Sequence, residues 1–170
     1  LPRIYNPERD FIATANQAVT PLAYYDQLAA ELGEDANYLL STSWSYGYRG
    51  ARINDLLREL GPLSAEDFAA IQGDSLDLNA QELMPSLMAV SFDDAALTDA
   101  RDWLASWDFH SSSDSAQAAL WAYYTAHLLD NVFTDQLPDD STASAYNRFA
   151  IVQMVTDPAH PWWDDVTPAD

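Results

Sequence analysis

The chain has 170 residues and a formal net charge of −20, and its positively charged side chains are seven arginines with no lysine. Such a negative field repels phosphate backbones and anionic lipid surfaces, which argues against nucleic-acid and membrane partners. Cysteine is absent, which excludes disulfides, thiolate metal sites and cysteine nucleophiles, while 48% hydrophobic residues are enough to form a folded core.

The N-terminal residues predict a short β-hairpin. Residues 3–5 and 11–15 are rich in β-branched and aromatic side chains, and Asn6-Pro7 between them has the chemistry of a turn. A lone hairpin is marginally stable in water, so this one needs another surface. Because the chain also begins with Leu1 instead of methionine, we expect it to be an internal part of a larger protein.

Apolar periodicity after residue 20 predicts a mainly α-helical body. Helices are expected over residues 22–32, 48–60, 64–85, 93–107, 114–132 and 141–157. Gly33 ends the first, Ser64 and Asp67 form a capping box for the third, and Pro85 bends or ends the third. The fold class is therefore about six helices with the short hairpin, in one domain over residues 1–170 with a helical body from 21 to 170.

Several candidate sites have simpler explanations. His110 beside Ser111–Ser113 could form a nucleophile and base, but a polar loop before a helix cap accounts for them. His127 lies among tyrosines and leucines, which favours a packed core side chain. The acids near His160 could bind a hard cation, yet helix caps and a solvated surface explain most acidic residues. Carboxylates with six tryptophans could indicate a glycoside hydrolase, but most of these tryptophans have the spacing of core residues.

Asn16 and Arg49 are the strongest candidate site residues. Asn16 ends an alternating apolar segment, so a rigid edge could aim its amide at a pocket. Arg49 follows Trp44 and two tyrosines, and an arginine there can hold an amide or a substrate. A turn asparagine and an arginine at a helix start would explain the same residues without any chemistry.

Four ordered motifs resemble the penicillin acylase family. Residues 11–17, Phe-Ile-Ala-Thr-Ala-Asn-Gln, resemble the segment that ends in its oxyanion-hole asparagine, and residues 44–53 resemble its tryptophan-to-arginine motif. Residues 104–121 are similar to its Trp-Asp and Asp-Ser helix pattern, and residues 161–165 match a later landmark. The resemblance covers nearly the whole chain.

The resemblance implies an N-terminal-nucleophile amidohydrolase with an αββα core, which cleaves acyl-amines such as penicillins or acyl-homoserine lactones. A serine freed by self-cleavage at the start of the larger subunit is the nucleophile, and its own amine is the base. This chain would be an internal, mostly helical segment of that subunit, with residues 1–20 belonging to the core. Asn16 would be the oxyanion donor and Arg49 its supporting residue. Leu1 has no hydroxyl group, so the chain alone would be inactive.

The resemblance also sets expectations for partners and cofactors. The partners would be the rest of the parent acylase, including its small subunit and core, and a small acyl-amide substrate. No cofactor is expected in this chain; calcium is possible in the parent, with ligands mostly outside this stretch, and Ser43 stands where many members carry an acid. The parent would be periplasmic or extracellular. The alternatives are a secreted, acidic helical interaction module without chemistry and a glycan-binding protein that uses exposed tryptophans.

Overall fold

The structure, a computed structural model, describes residues 3–21, 23–33, 41, 44–137 and 148–163. Over these residues the protein is mainly α-helical and has no sheet, which confirms the predicted fold class. The helices are α1 (Ala23–Leu32), α2 (Tyr48–Leu60), α3 (Ala65–Gln72), α4 (Leu78–Met88), α5 (Ala95–Leu104), α6 (Ala116–Phe133) and α7 (Arg148–Met154), followed by a 3-10 turn at Pro161–Trp163.

The predicted N-terminal hairpin is not present. Residues 3–21 contain turns and irregular backbone but no strand, and the amide of Asp10 donates to the carbonyl of Pro7 at 2.9 Å. Asn6, Asp10 and Asn16 have φ angles of 44°, 59° and 57°. Each left-handed residue interrupts an extended backbone, so the alternation of apolar residues here does not produce a paired strand.

The chain comprises two compact units, residues 1–72 and 73–170. The first contains α1, α2 and α3, and α2 packs against α3. Helices α1 to α3 bury no hydrophobic side chain, and the buried residues of this unit within its described part are Ala15 and Gly50. The assignment of residues 1–20 to the core of a parent enzyme remains a prediction.

The hydrophobic core lies in the second unit. It is built from one face each of α4, α6 and α7, together with residues at and after the end of α5. Its buried members are Ala80, Leu83, Met84, Leu87, Leu104, Trp107, Trp121, Leu129, Val132, Phe133, Ile151, Val152 and Met154. Trp121 and Ile151 are among its most completely buried side chains, at 2% and 1% exposure. Residues 73–170 therefore contain most of the apolar burial seen in the described chain.

The third predicted helix is two helices. The capping box at its start is present, since the Ser64 amide donates to Asp67 at 2.8 Å and the Asp67 amide donates to the Ser64 hydroxyl at 3.2 Å. The helix stops at Gln72, however, and Leu76 forms an isolated antiparallel bridge with His110. This long-range pairing holds the backbone extended, so the apolar stripe is divided between α3 and α4.

Helix α4 has its own start. The Asp77 carboxylate accepts a hydrogen bond from the amide of Ala80 at 2.9 Å, which satisfies one of the amides left unpaired at a helix N-terminus. Pro85 lies inside α4 and does not end it. Both findings correct the prediction of one helix from 64 to 85.

The remaining helix predictions agree well with the structure. Helix α2 has the predicted bounds, α5 is capped by Asp94, and α6 is capped by Ser115. The predicted start of the last helix, at 141 or 142, lies outside the described residues, and α7 is described from Arg148. No helix in the described ranges combines the length and apolarity needed to cross a bilayer.

Candidate functional site

Asn16 is held in a defined left-handed backbone conformation. It follows Ala15, which is 3% exposed, and its own φ is 57°. Its carbonyl oxygen accepts a hydrogen bond from the amide of Ser45 at 2.7 Å. Asparagine adopts this conformation more readily than most residues, because its short polar side chain tolerates it. The backbone at Asn16 is thus attached to the segment that leads into α2.

Arg49 is placed by the first turn of α2. Gly47 precedes the helix with a φ of 123°, a value that L side chains rarely adopt. The rings of Tyr46 and Tyr48 on either side of Gly47 meet edge to face at 5.0 Å between centroids. Arg49 then donates a hydrogen bond from Nη2 to the side-chain oxygen of Asn16. The structure therefore brings together the two site residues that the sequence predicts.

The direction of this hydrogen bond determines which end of the Asn16 side-chain amide, Oδ1 or Nδ2, faces Arg49. A guanidinium has five N–H donors and no acceptor, so it can bind only the Oδ1 of an asparagine. The Nδ2 group of Asn16 is then turned away from Arg49 with its two donor hydrogens. Both side chains are exposed on this part of the chain. The pair is thus arranged to offer an amide donor to an anion or a carbonyl oxygen.

Gln17 closes the turn next to Asn16. Its Oε1 accepts from the amide of Ala15 at 2.6 Å, and its Nε2 donates to the carbonyl of Ala13 at 3.3 Å. A Cβ at Gly50 would lie 3.3 Å from the Gln17 Cδ, tighter than most real contacts, so glycine permits this approach. Sequence reasoning assigned no role to Gln17. The available signal was a glycine inside a predicted helix, which often marks a close approach.

A second contact attaches the N-terminal segment to α2. Arg9 donates from Nη1 to the side-chain oxygen of Asn54 at 3.2 Å, and Asn54 donates from Nδ2 to the carbonyl of Gly50 at 2.7 Å. Arg9 also donates from Nε to the carbonyl of Phe11 at 3.0 Å, and its guanidinium lies 5.0 Å from the Phe11 ring centroid. Residues 9 to 17 are therefore held at both ends against one helix.

The structure shows the surroundings of two of the histidine candidates, His110 and His127. His110 lies with Nδ1 at 3.4 Å from the hydroxyl of Ser75, and its amide donates to Asp108 at 2.9 Å. His127 is exposed on α6 with its ring 4.3 Å from that of Tyr123, so the prediction of a packed core histidine is wrong. The reason is the register of α6, which buries Trp121, Thr125 and Leu129 on its other face.

The described residues offer no group of three acidic or histidine side chains that could hold a metal ion. Asp94 serves as a helix cap, and Asp139 and Asp140 lie outside the described residues. The acids at 164 and 165 are likewise outside them, while Trp162 packs on Phe133 with 5.2 Å between ring centroids. The described residues therefore do not fit a calcium site.

The second unit contains an apolar cavity of about 210 Å³. Helices α4, α6 and α7 and the 3-10 turn supply its walls, which are lined by Leu83, Ser86, Leu87, Val90, Trp121, Tyr124, Leu128, Ile151, Val155 and Trp163. Burial raises the pKa of the Tyr124 hydroxyl in this lining. The cavity is suited to a small apolar group, and no carboxylate, histidine or arginine is among its lining residues.

The comparisons with known proteins give one match. The family model described as penicillin amidase matches residues 1–170, the whole of this chain. No curated protein and no solved structure matches it.

Proposed function

Since the chain belongs to the penicillin amidase family, we propose that it is part of a hydrolase that cleaves the linear amide bond of an acyl-amine. Within that hydrolase it supplies an oxyanion-hole asparagine, Asn16, and a wall of the acyl pocket. Arg49 is the supporting residue that orients Asn16. Family membership supports an amidohydrolase in general, and the finer assignment rests on the geometry of these two side chains.

The contact between Arg49 and Asn16 is the observation that carries the proposal. Amide hydrolysis passes through a tetrahedral intermediate whose oxygen becomes negatively charged. Donors already aimed at that oxygen lower the barrier, because they need no reorganisation as charge develops. Arg49 binds the only acceptor of the Asn16 side chain, so the Nδ2 hydrogens remain to donate to the oxyanion.

The rest of the chemistry comes from the remainder of the parent acylase. In this proposal a serine at the start of the larger subunit attacks the acyl carbon, and its own α-amino group takes up the hydroxyl proton. The acyl group passes to the serine, the amine leaves with that proton, and water then hydrolyses the ester. Penicillins, acyl-homoserine lactones and related amides are the proposed substrates, in a periplasmic or extracellular enzyme.

Variants at Asn16 in the intact parent enzyme test the proposal. Asn16→Gly removes the amide but tolerates the left-handed backbone, while Asn16→Asp keeps the shape and replaces the donor with an acceptor. Each is expected to lower kcat by roughly 10²–10³ with little change in the thermal midpoint, as for other oxyanion donors. Asn6→Gly is the matched control, because Asn6 is another exposed asparagine of this segment with positive φ.

Full turnover in both Asn16 variants would show that Asn16 is only a structural turn. That result would favour the alternative, a non-catalytic acidic interaction module. A second measurement is the assay of this chain alone on a chromogenic acyl-amide. We expect no turnover, because the proposed nucleophile is a serine outside the chain. Genuine turnover would contradict the proposal that the nucleophile comes from the rest of the parent enzyme.

A further inference from the structure

We infer that Gln17 is a positioning residue for Asn16, an inference that rests on the proposed function of Asn16. Its side-chain amide closes the turn that carries Asn16. One end accepts from the Ala15 amide at 2.6 Å and the other donates to the Ala13 carbonyl at 3.3 Å. The two backbone groups have fixed polarity, so the uncharged amide satisfies both, whereas a carboxylate at this position could satisfy only the Ala15 amide.

The bond to Ala15 is the more important of the two. Ala15 is 3% exposed, and a buried backbone N–H without a partner is costly. Gln17 supplies that partner from two residues further along the chain. The bond therefore fixes the direction of the backbone entering and leaving Asn16, and with it the direction of the Asn16 side chain.

Gln17 also sets the distance between Asn16 and Arg49. Its side chain packs on Gly50, the residue after Arg49, so closely that a Cβ there would lie 3.3 Å from Cδ. Gly50 is buried at this point. The loop turn that carries Asn16 and the first helical turn of α2 thus contact each other through the Gln17 side chain. This contact lies beside the hydrogen bond that joins Arg49 to Asn16.

Kinetics of the intact parent enzyme test the inference. Gln17→Ala removes both hydrogen bonds and is expected to lower kcat by roughly 10- to 100-fold, as small misplacements of catalytic groups do. KM is expected to change by less than about twofold, because the oxyanion forms only after the substrate has bound. Gln17→Glu keeps the acceptor for the Ala15 amide and loses the donor to the Ala13 carbonyl. Its kcat is therefore expected to lie between that of the wild type and that of Gln17→Ala. Gln27→Ala, at an exposed glutamine of α1, is the control.

The decisive measurement is a double-mutant cycle. If Gln17 acts through Asn16, Gln17→Ala causes no further loss of kcat in the Asn16→Gly background. Equal fold-losses in both backgrounds would overturn the inference, since Gln17 would then act independently of Asn16. Should Gln17→Ala fail to fold, the nearly isosteric Gln17→Glu carries the same cycle.

The outcomes separate this inference from the proposed function. If Asn16→Gly loses activity while Gln17→Ala and Gln17→Glu keep it, the positioning role is wrong and the oxyanion role stands. If Asn16→Gly itself keeps full activity, the oxyanion role is wrong and the positioning role fails with it.

Discussion

At the scale of single residues, the side chains of Asn16, Gln17 and Arg49 meet where the segment of residues 9–17 contacts α2. Arg49 donates a hydrogen bond to the Oδ1 of Asn16, and the side chain of Gln17 bonds to the backbone of the residues just before Asn16. Two of these three residues are identifiable from the sequence, because the motifs around them resemble a family. Gln17 is not, since its partners are backbone groups whose positions depend on the turn.

Gly50→Ala is expected to lower the activity of the parent enzyme without lowering its thermal stability. Alanine favours a helix over glycine by roughly 0.5–1 kcal/mol, so the helix itself gains. The new Cβ would lie 3.3 Å from the Gln17 Cδ, so the Gln17 side chain that closes the turn has to shift by a few tenths of an ångström. We expect an unchanged or slightly higher thermal midpoint together with a severalfold lower kcat.

The control for this prediction is Ala51→Gly, at the exposed neighbouring position of α2. It is expected to reduce helix stability with no loss of kcat. A Gly50→Ala enzyme with wild-type kcat would show that the close approach at Gly50 has no effect on Asn16.

At the scale of helices and turns, local signals predicted most starts and stops. The capping residues Ser64, Asp94 and Ser115 each accept a hydrogen bond from an amide two or three residues further along the chain, so these helix starts depend on local sequence. The failures have non-local causes. Leu76 pairs with His110, 34 residues away, and left-handed residues break the predicted hairpin. Periodicity carries no information on either.

The capping box of α3 is expected to weaken in acid. The Ser64 amide and then its hydroxyl, by donating to the Asp67 carboxylate, hold the pKa of Asp67 below its ordinary value of 3.8. A lowered pKa in the folded state stabilises the fold above the unfolded pKa, and this contribution disappears as the pH falls through the lowered value. Asp67→Ala should therefore reduce the protection of α3 amides near neutral pH and make no difference in strong acid.

Hydrogen exchange of α3, compared between variant and wild type at each pH, measures this effect. Glu66→Ala is the control, because Glu66 carries the same charge in the same first turn of α3. Since Asp67 is only partly buried, added salt should diminish the difference. A difference between Asp67→Ala and wild type that persists at low pH would contradict a role for the ionised carboxylate.

At the scale of the whole molecule, burial is distributed unevenly between the two units. The hydrophobic core belongs to residues 73–170, whereas helices α1 to α3 bury no hydrophobic side chain. The candidate site is in the first unit. Composition predicted a folded core of sufficient size, but not that the core would belong to the unit that does not contain Asn16, because that division depends on which helices pack together.

Hydrogen exchange of the whole chain should reveal this division. Amides of α4, α6 and α7 are expected to exchange at least about a hundredfold more slowly than those of α1, α2 and α3, because local opening is easiest where little apolar surface is buried. Equal protection of these six helices would contradict the expectation.

Residues 9–17 are attached to α2 at two points, through Arg49 and through Asn54, so the orientation of α2 determines that of Asn16. Arg49 and Asn54 lie five positions apart on this helix, about 7.5 Å along its axis. A single attachment would let the segment swivel, whereas two attachments tie its direction to that of the helix. A contact that tilts α2, at any point along its length, therefore turns the Asn16 amide with it.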